Sequence, residues 1–309
     1  MLTSLGRNSK SLKWNHFCLA FAEEAMLMKT FTLESTGMLA EYDYLSRLSM
    51  DRWAWEYLRR NEEFRRDASV RSKDDISERM APCAPIRMLK TRTSQTLAER
   101  WGLVLMPDPN KNGFDADVVW NRAAFPDQVE INCSPRAADQ TCDIWERSMP
   151  FCQMTHISDH QGREFLLTRG KGCVVQVRCT GMSLIGLEPV RMKLTISDIT
   201  AYERKLKVQK AALEIYGDGP DLSTPLWTKT TQILRDGLVA LDGIACGMNR
   251  REIAETIYSR EKVAEQWNDD RGSMKDTLKY LVRKAEALKD GGYLMELLGA
   301  NVGPQRILA

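Results

Sequence analysis

NRREIAETIYSREKVAEQWNDDRGSMKDTLKYLVRKAEALKD, residues 249–290, reads as two capped helices joined by a turn. Asn249 stands three residues ahead of Glu252, a pairing that takes up the unpaired N–H groups of a helix start. Ile253, Ala254, Ile257 and Tyr258 then form one apolar face of a short helix. Ser273 opens the second helix, with Asp276 in the first turn, where negative charge suits the helix dipole. Met274, Leu278, Leu281, Val282, Ala285 and Leu288 recur at helical spacing, and Gly291-Gly292 ends the run. Rotation by about 100° per residue leaves Lys279, Tyr280, Arg283 and Lys284 outward, with Lys275 at the edge. A short buried helix, a turn and a longer helix with basic groups outward is the layout of a helix-turn-helix DNA reader.

A basic helix face is also what any solvated helix presents, and acids nearly balance bases from residue 249 onward. The arrangement favours the DNA reading. Glu252, Glu255, Glu261, Glu265, Asp269 and Asp270 precede the second helix, whereas Arg271, Lys275, Lys279, Arg283, Lys284 and Lys289 lie on or beside it. Segregation of that kind concentrates positive field on one element.

Working outward, 309 residues at 43% hydrophobic suffice for two small domains with cores of their own. A net charge of +2 argues for no particular partner. Cys18, Cys83, Cys133, Cys142, Cys152, Cys173, Cys179 and Cys246 contain no C-x-x-C, which points to free thiols in a reducing cytoplasm. His156 and His160 stand four apart in a stretch that reads as loop, a poor metal site. No run approaches a membrane span. Phosphate-loop, dinucleotide, zinc-protease and serine-hydrolase motifs are absent, and the three histidines leave little general-base chemistry. Asp115 and Asp117 share a strand face with no third acid. No enzyme activity, metal or cofactor is expected.

The fold class read from the pattern is α+β: a small N-terminal helical element, an antiparallel β-rich middle and a C-terminal helical domain. Residues 1–40 read as a leader, with the native start at Met26 or Met28 and the preceding codons a translated ribosome-binding region. Residues 41–70 are helical, with Trp53 and Tyr57 on the face of Met50, Ala54 and Leu58, and Trp55 pointing elsewhere. Two readings stand there: a core stripe, or an interface anchor made by Trp53, Trp55 and Tyr57 beside Arg52, Arg59 and Arg60. Residues 71–95 read as a linker because of their alternating charges and prolines. Within the β-rich span 96–197, strands are expected at 101–106, 115–120, 128–132, 163–168, 173–179 and 190–196, with a tight hairpin at Gly170-Lys171-Gly172. Residues 136–160 yield no assignment. Helices are expected at 199–216 and 228–246, within a helical region 198–299.

The string from Ala240 to Leu298 resembles the RovC-type DNA-binding domain family, whose type member activates type VI secretion genes. The resemblance rests on Leu241-Asp242-Gly243, Arg251-Glu252-Ile253-Ala254, Val263-Ala264 with Trp267, then Ser273 and Gly291-Gly292-Tyr293. Relatives are richer in Arg where this chain has Lys275, Lys279 and Tyr280. Lys is a point charge, which keeps phosphate contact and loses the bidentate fork. Upstream, Tyr44-Leu45-Ser46-Arg47-Leu48 and Trp53 to Asn61 resemble an N-terminal transcriptional regulator-like domain, in the order also found in FseA-like excision activators of integrative conjugative elements. Trp101-Gly102-Leu103, Asp108-Pro109 and Val118-Val119-Trp120 follow the same order.

The resemblance implies a cytoplasmic, homo-oligomeric DNA-binding activator of a secretion cluster or mobile element. Its partner is promoter double-stranded DNA, with an antiactivator or RNA polymerase as further contacts and no membrane. Lys275, Asp276, Lys279 and Tyr280 are the expected base-edge readers. Arg271, Arg283 and Lys284 are expected on phosphates, Ser273 at the helix start, and Arg250 and Arg251 as a backbone clamp aided by their helix's positive end. The alternative is a protein-interaction module that docks another regulator, such as an antiactivator, without touching DNA. An RNA-binding regulator fits less well, since the expected strands 163–168, 173–179 and 190–196 offer Phe165 as their one aromatic.

Overall fold

The structure, a computed structural model, describes residues 39–70, 75–81, 85–137, 152–186, 188–196, 202, 203, 205, 206, 208, 226–268 and 273–300. These fall into two compact units, one made of 39–43 with Trp227–Glu286, the other of 44–226 with 287–300. The fold is mixed α+β. The expected leader and most of the expected helix at 199–216 lie outside the described residues.

The larger unit opens with α1 (Met50–Leu58) and α2 (Glu62–Ser69). From Asp51 to Leu58 every residue of α1 is buried, the signature of a helix surrounded by protein. Trp53 and Trp55 are 0% exposed and Tyr57 is 1% exposed. The interface-anchor reading is thereby corrected: none of the three reaches the surface. Trp55, expected to point away from the core, packs edge-on against Phe64 at 5.5 Å, and Phe64 against Trp101 at 5.7 Å. Its indole N–H donates to the Lys111 carbonyl at 3.0 Å, which makes full burial tolerable.

Among the described residues seven strands form one sheet in the order β1-β2-β4-β5-β6-β3-β7. They are β1 (Ile76–Met80), β2 (Ile86–Thr91), β3 (Val129–Pro135), β4 (Gln153–Ser158), β5 (Glu164–Gly170), β6 (Cys173–Gly181) and β7 (Val190–Thr195). The expected linker is therefore a correction: it supplies β1 and β2, the outer pair of the sheet, where Arg87 bonds Glu78 across the pair and also Asp117. The sheet is mixed rather than wholly antiparallel, because β2 pairs β4 and β3 pairs β6 in parallel. Central strand β4 falls in the stretch that gave no assignment. The β5–β6 hairpin is as expected: Gly170 pairs Cys173, with Lys171 at φ 50 and Gly172 at φ 75 between them.

Two expected strands, 101–106 and 115–120, do not form; an isolated bridge Leu103–Trp120 is all the pairing they make. They follow the short helix α3 (Thr96–Arg100) and pack as extended segments instead. Leu103, Met106, Val118 and Trp120 are buried in the helical layer of the unit, with Val104, Leu105 and Val119 against the sheet. Gly102 makes the turn between Trp101 and Leu103 at φ 80, and a Cβ there would stand 2.6 Å from the Ala124 Cβ.

The chain's last described stretch completes this unit. A π-helical turn, Leu288–Gly292, kinks at Gly291 (φ 117) and leads into α8 (Tyr293–Glu296). Tyr293, Leu294, Leu298 and Ala300 enter the same core as Trp55, Phe64 and Trp101. The Tyr293 hydroxyl donates to the Trp101 carbonyl at 3.0 Å, and the Asn61 amide to the Lys289 carbonyl at 3.2 Å.

Candidate nucleic-acid interface

Among the described residues, the unit built around Trp227–Glu286 contains four helical segments. The first, α4 (Lys229–Ala245), starts on a reciprocal cap in which Thr228 and Thr231 each bond the other's backbone N–H. It ends at Gly247 in the left-handed region (φ 77), with Met248 N–H donating to the Gly243 carbonyl at 2.9 Å. Gly243 lies one turn before that end, where a Cβ would stand 2.9 Å from Ile253 Cγ1. Its missing side chain lets the next helix close on α4. Asp242 beside it accepts a 2.6 Å hydrogen bond from the Tyr42 hydroxyl. Leu241-Asp242-Gly243 is thus a packing device rather than a contact surface.

Next, α5 (Arg250–Tyr258) carries the cap expected of Asn249 and Glu252. Asn249 Oδ1 accepts from Arg251 N–H at 2.9 Å and Glu252 N–H at 3.1 Å, while Glu252 Oε2 accepts from Asn249 N–H at 2.7 Å. That geometry corrects one expectation. The helix start is already occupied by an amide oxygen and a carboxylate, so its dipole gives Arg250 and Arg251 little help with a phosphate. Arg251 also pairs with Glu255 at 3.1 Å, whereas Arg250 is exposed. Ile253, Ala254 and Ile257 are buried, as the periodicity predicts. Burial raises the Tyr258 phenol above its usual range, and Asp236 adds to the effect.

A third helix, α6 (Arg260–Gln266), was not anticipated. Ser259, at φ 79, breaks it from α5, and Val263 buries its one inward side chain. Its signal was present in Ser259 followed by Glu261, a start with an acid in the first turn. Trp267 caps it at the C-terminus and donates its N–H to the Val263 carbonyl at 2.8 Å.

The fourth, α7 (Ser273–Ala287), divides cleanly between two faces. Met274, Leu278, Leu281 and Ala285 are buried, and Val282 is partly so. Lys275, Asp276, Lys279, Tyr280 and Arg283 are exposed, and Lys284 is half-buried. Lys275, Lys279 and Arg283 stand four apart, a row with roughly 6 Å between neighbours along the axis. Neither Lys279 nor Arg283 has an ion-pair partner among the described residues, and the Lys275 ammonium lies 5.5 Å from the Trp267 ring centre. Arg271 and the side chain of Ser273 lie outside the described residues.

A helix with an oily stripe buried and an unneutralised cationic row outward is equipped to meet a polyanion. Among the described residues no three His, Cys, Asp or Glu side chains are grouped to hold a metal, and no helix is long and apolar enough to cross a membrane. Comparison with protein families finds that residues 199–298 match the RovC DNA-binding domain family, described as a type VI secretion transcription factor DNA-binding domain. Residues 39–105 match the proteobacterial transcriptional regulator-like domain. A search of curated proteins finds no match. The DNA-binding family region contains all of α4–α7 and extends into the π turn and α8 of the other unit.

Proposed function

We propose that the chain is a sequence-specific activator of transcription that lays α7 in the major groove of promoter DNA. The observation that carries this is the exposed row Lys275, Lys279 and Arg283, set opposite a buried stripe within the matched DNA-binding region. Lys275, Asp276, Lys279 and Tyr280 read base edges; Arg271, Arg283 and Lys284 meet phosphates, with Ser273 at the helix start. Arg250 contributes a peripheral phosphate contact, and Arg251 joins it only by giving up Glu255. So modest a cationic surface binds weakly as one copy, and a homo-oligomer multiplies it through effective concentration. The genes served are those of a secretion cluster or mobile element, in the cytoplasm, with an antiactivator or RNA polymerase as additional partners.

Retention on duplex DNA across a salt gradient tests the reading. Arg283→Ala weakens binding to all sequences and flattens the dependence of log K on log salt by roughly 0.9 per lost phosphate contact. Lys279→Ala additionally blurs preference at one base pair. A pair of variants that keeps full affinity, or a wild-type chain that leaves DNA at low salt, assigns the helices to docking another protein instead.

A further inference from the structure

Trp267 belongs to the Val263-Ala264…Trp267 motif, and the function as proposed gives it no task. Its place explains why an aromatic stands there. It closes α6, remains partly exposed, and lies under Lys275, the first cation of the α7 row. Its ring centre lies 5.5 Å from the Lys275 ammonium.

A free lysine side chain samples many rotamers and loses that freedom when pinned to a ligand. An ammonium resting on an indole face has part of that freedom removed beforehand, since the negative face of the ring attracts the cation. Neighbouring carboxylates do not serve this purpose, because they would neutralise the charge that DNA must see. Among the described residues, Lys275 alone of the three cations in the row has such a seat; Lys279 and Arg283 have neither ring nor acid partner. The seat also spans the break between α6 and α7, so it sets Lys275 relative to the helix before its own.

We infer that Trp267 is a positioning residue for DNA reading: its ring face holds the Lys275 ammonium in the direction from which it meets a base edge. The inference rests on the proposed function and adds a residue to it.

The test uses the intact chain and two probes, the duplex it enriches from a randomised library and a scrambled version of that duplex. Lys275→Met weakens binding to the enriched duplex and relaxes preference at one position. Trp267→Leu weakens the enriched duplex by about three- to tenfold and leaves the scrambled duplex within twofold, with an unchanged salt slope because every charge remains. Trp267→Phe, which keeps a ring face, restores affinity to within about twofold of wild type. The double variant Trp267→Leu/Lys275→Met is no weaker than Lys275→Met alone. Additive losses, an equal loss on both probes, or no rescue by Phe would show that Trp267 acts through the fold and overturn the inference. A normal Trp267→Leu beside a defective Arg283→Ala would overturn it while leaving the DNA reading standing. Failure to enrich any duplex would remove both.

Discussion

At the scale of single residues, the larger unit turns on a carboxylate. Glu56 is fully buried and accepts from Tyr44 Oη at 2.8 Å, Arg59 Nε at 2.6 Å, Arg60 Nη1 at 2.8 Å and Gly113 N at 2.6 Å. Burial alone would raise its pKa, but Arg59 and Arg60 outweigh that and hold it at about 2. A folded pKa below the unfolded one means that Glu56 contributes stability above pH 4.5 and loses it as pH falls towards about 2. Glu56→Gln is expected to cost about 3 kcal/mol at neutral pH, by leaving the guanidinium groups uncompensated, and to remove that acid-side slope. Urea unfolding at several pH values reads both; a variant as stable as wild type at pH 7 would contradict the assignment. Little of this was readable from the chain alone. Arg59 and Arg60 beside Trp55 suggest an exposed anchor until Glu56 is seen drawing both arginines inward, while Phe64 and Lys111 cover the ring.

At the scale of elements, what the sequence disclosed depended on how much of each element's order is local. α5 and α7 were readable because a cap and a 3.6-residue stripe are properties of the segment itself. The Gly170–Cys173 hairpin was readable for the same reason. β1, β2 and β4 were not. β2 and β4 bond each other across a long stretch of sequence, β1 bonds only its neighbour β2 among the described strands, and ISERM or QMTHIS shows no clean alternation because edge position and two-sided burial override it. The segments around Val104 and Val119 erred in the other direction: their apolar runs are buried by packing rather than by strand pairing. The α5 cap offers a direct measure of local order. Asn249→Ala removes the acceptor for two backbone N–H groups and is expected to destabilise the helical unit by about 1 kcal/mol. Thermal unfolding checks it, and Asn249→Asp, which keeps an acceptor, restores most of the loss.

At the scale of the molecule, the two matched regions do not coincide with the two compact units. Residues 287–298 lie within the DNA-binding family region, yet they help to fill the core of the unit that holds most of the regulator-like region. A chain ended at Glu286 loses Tyr293, Leu294, Leu298 and Ala300 from that core. Each large apolar side chain is worth about 1.5–3 kcal/mol, together a sizeable share of a domain's stability. Loss of the cooperative near-ultraviolet transition is expected on truncation, whereas Tyr293→Phe, which removes only the bond to Trp101, costs about 1 kcal/mol. A truncated chain that unfolds like the full one would refute the shared core. The central claim, that the exposed face of α7 lies against DNA bases, is tested most directly by photocrosslinking. With Tyr280, half-exposed at 50%, replaced by benzoylphenylalanine, irradiation on the enriched duplex is predicted to yield an adduct mapped to bases inside the recognised site. A chain that still binds that duplex with full affinity but forms no adduct from position 280 would place the DNA elsewhere and contradict the account.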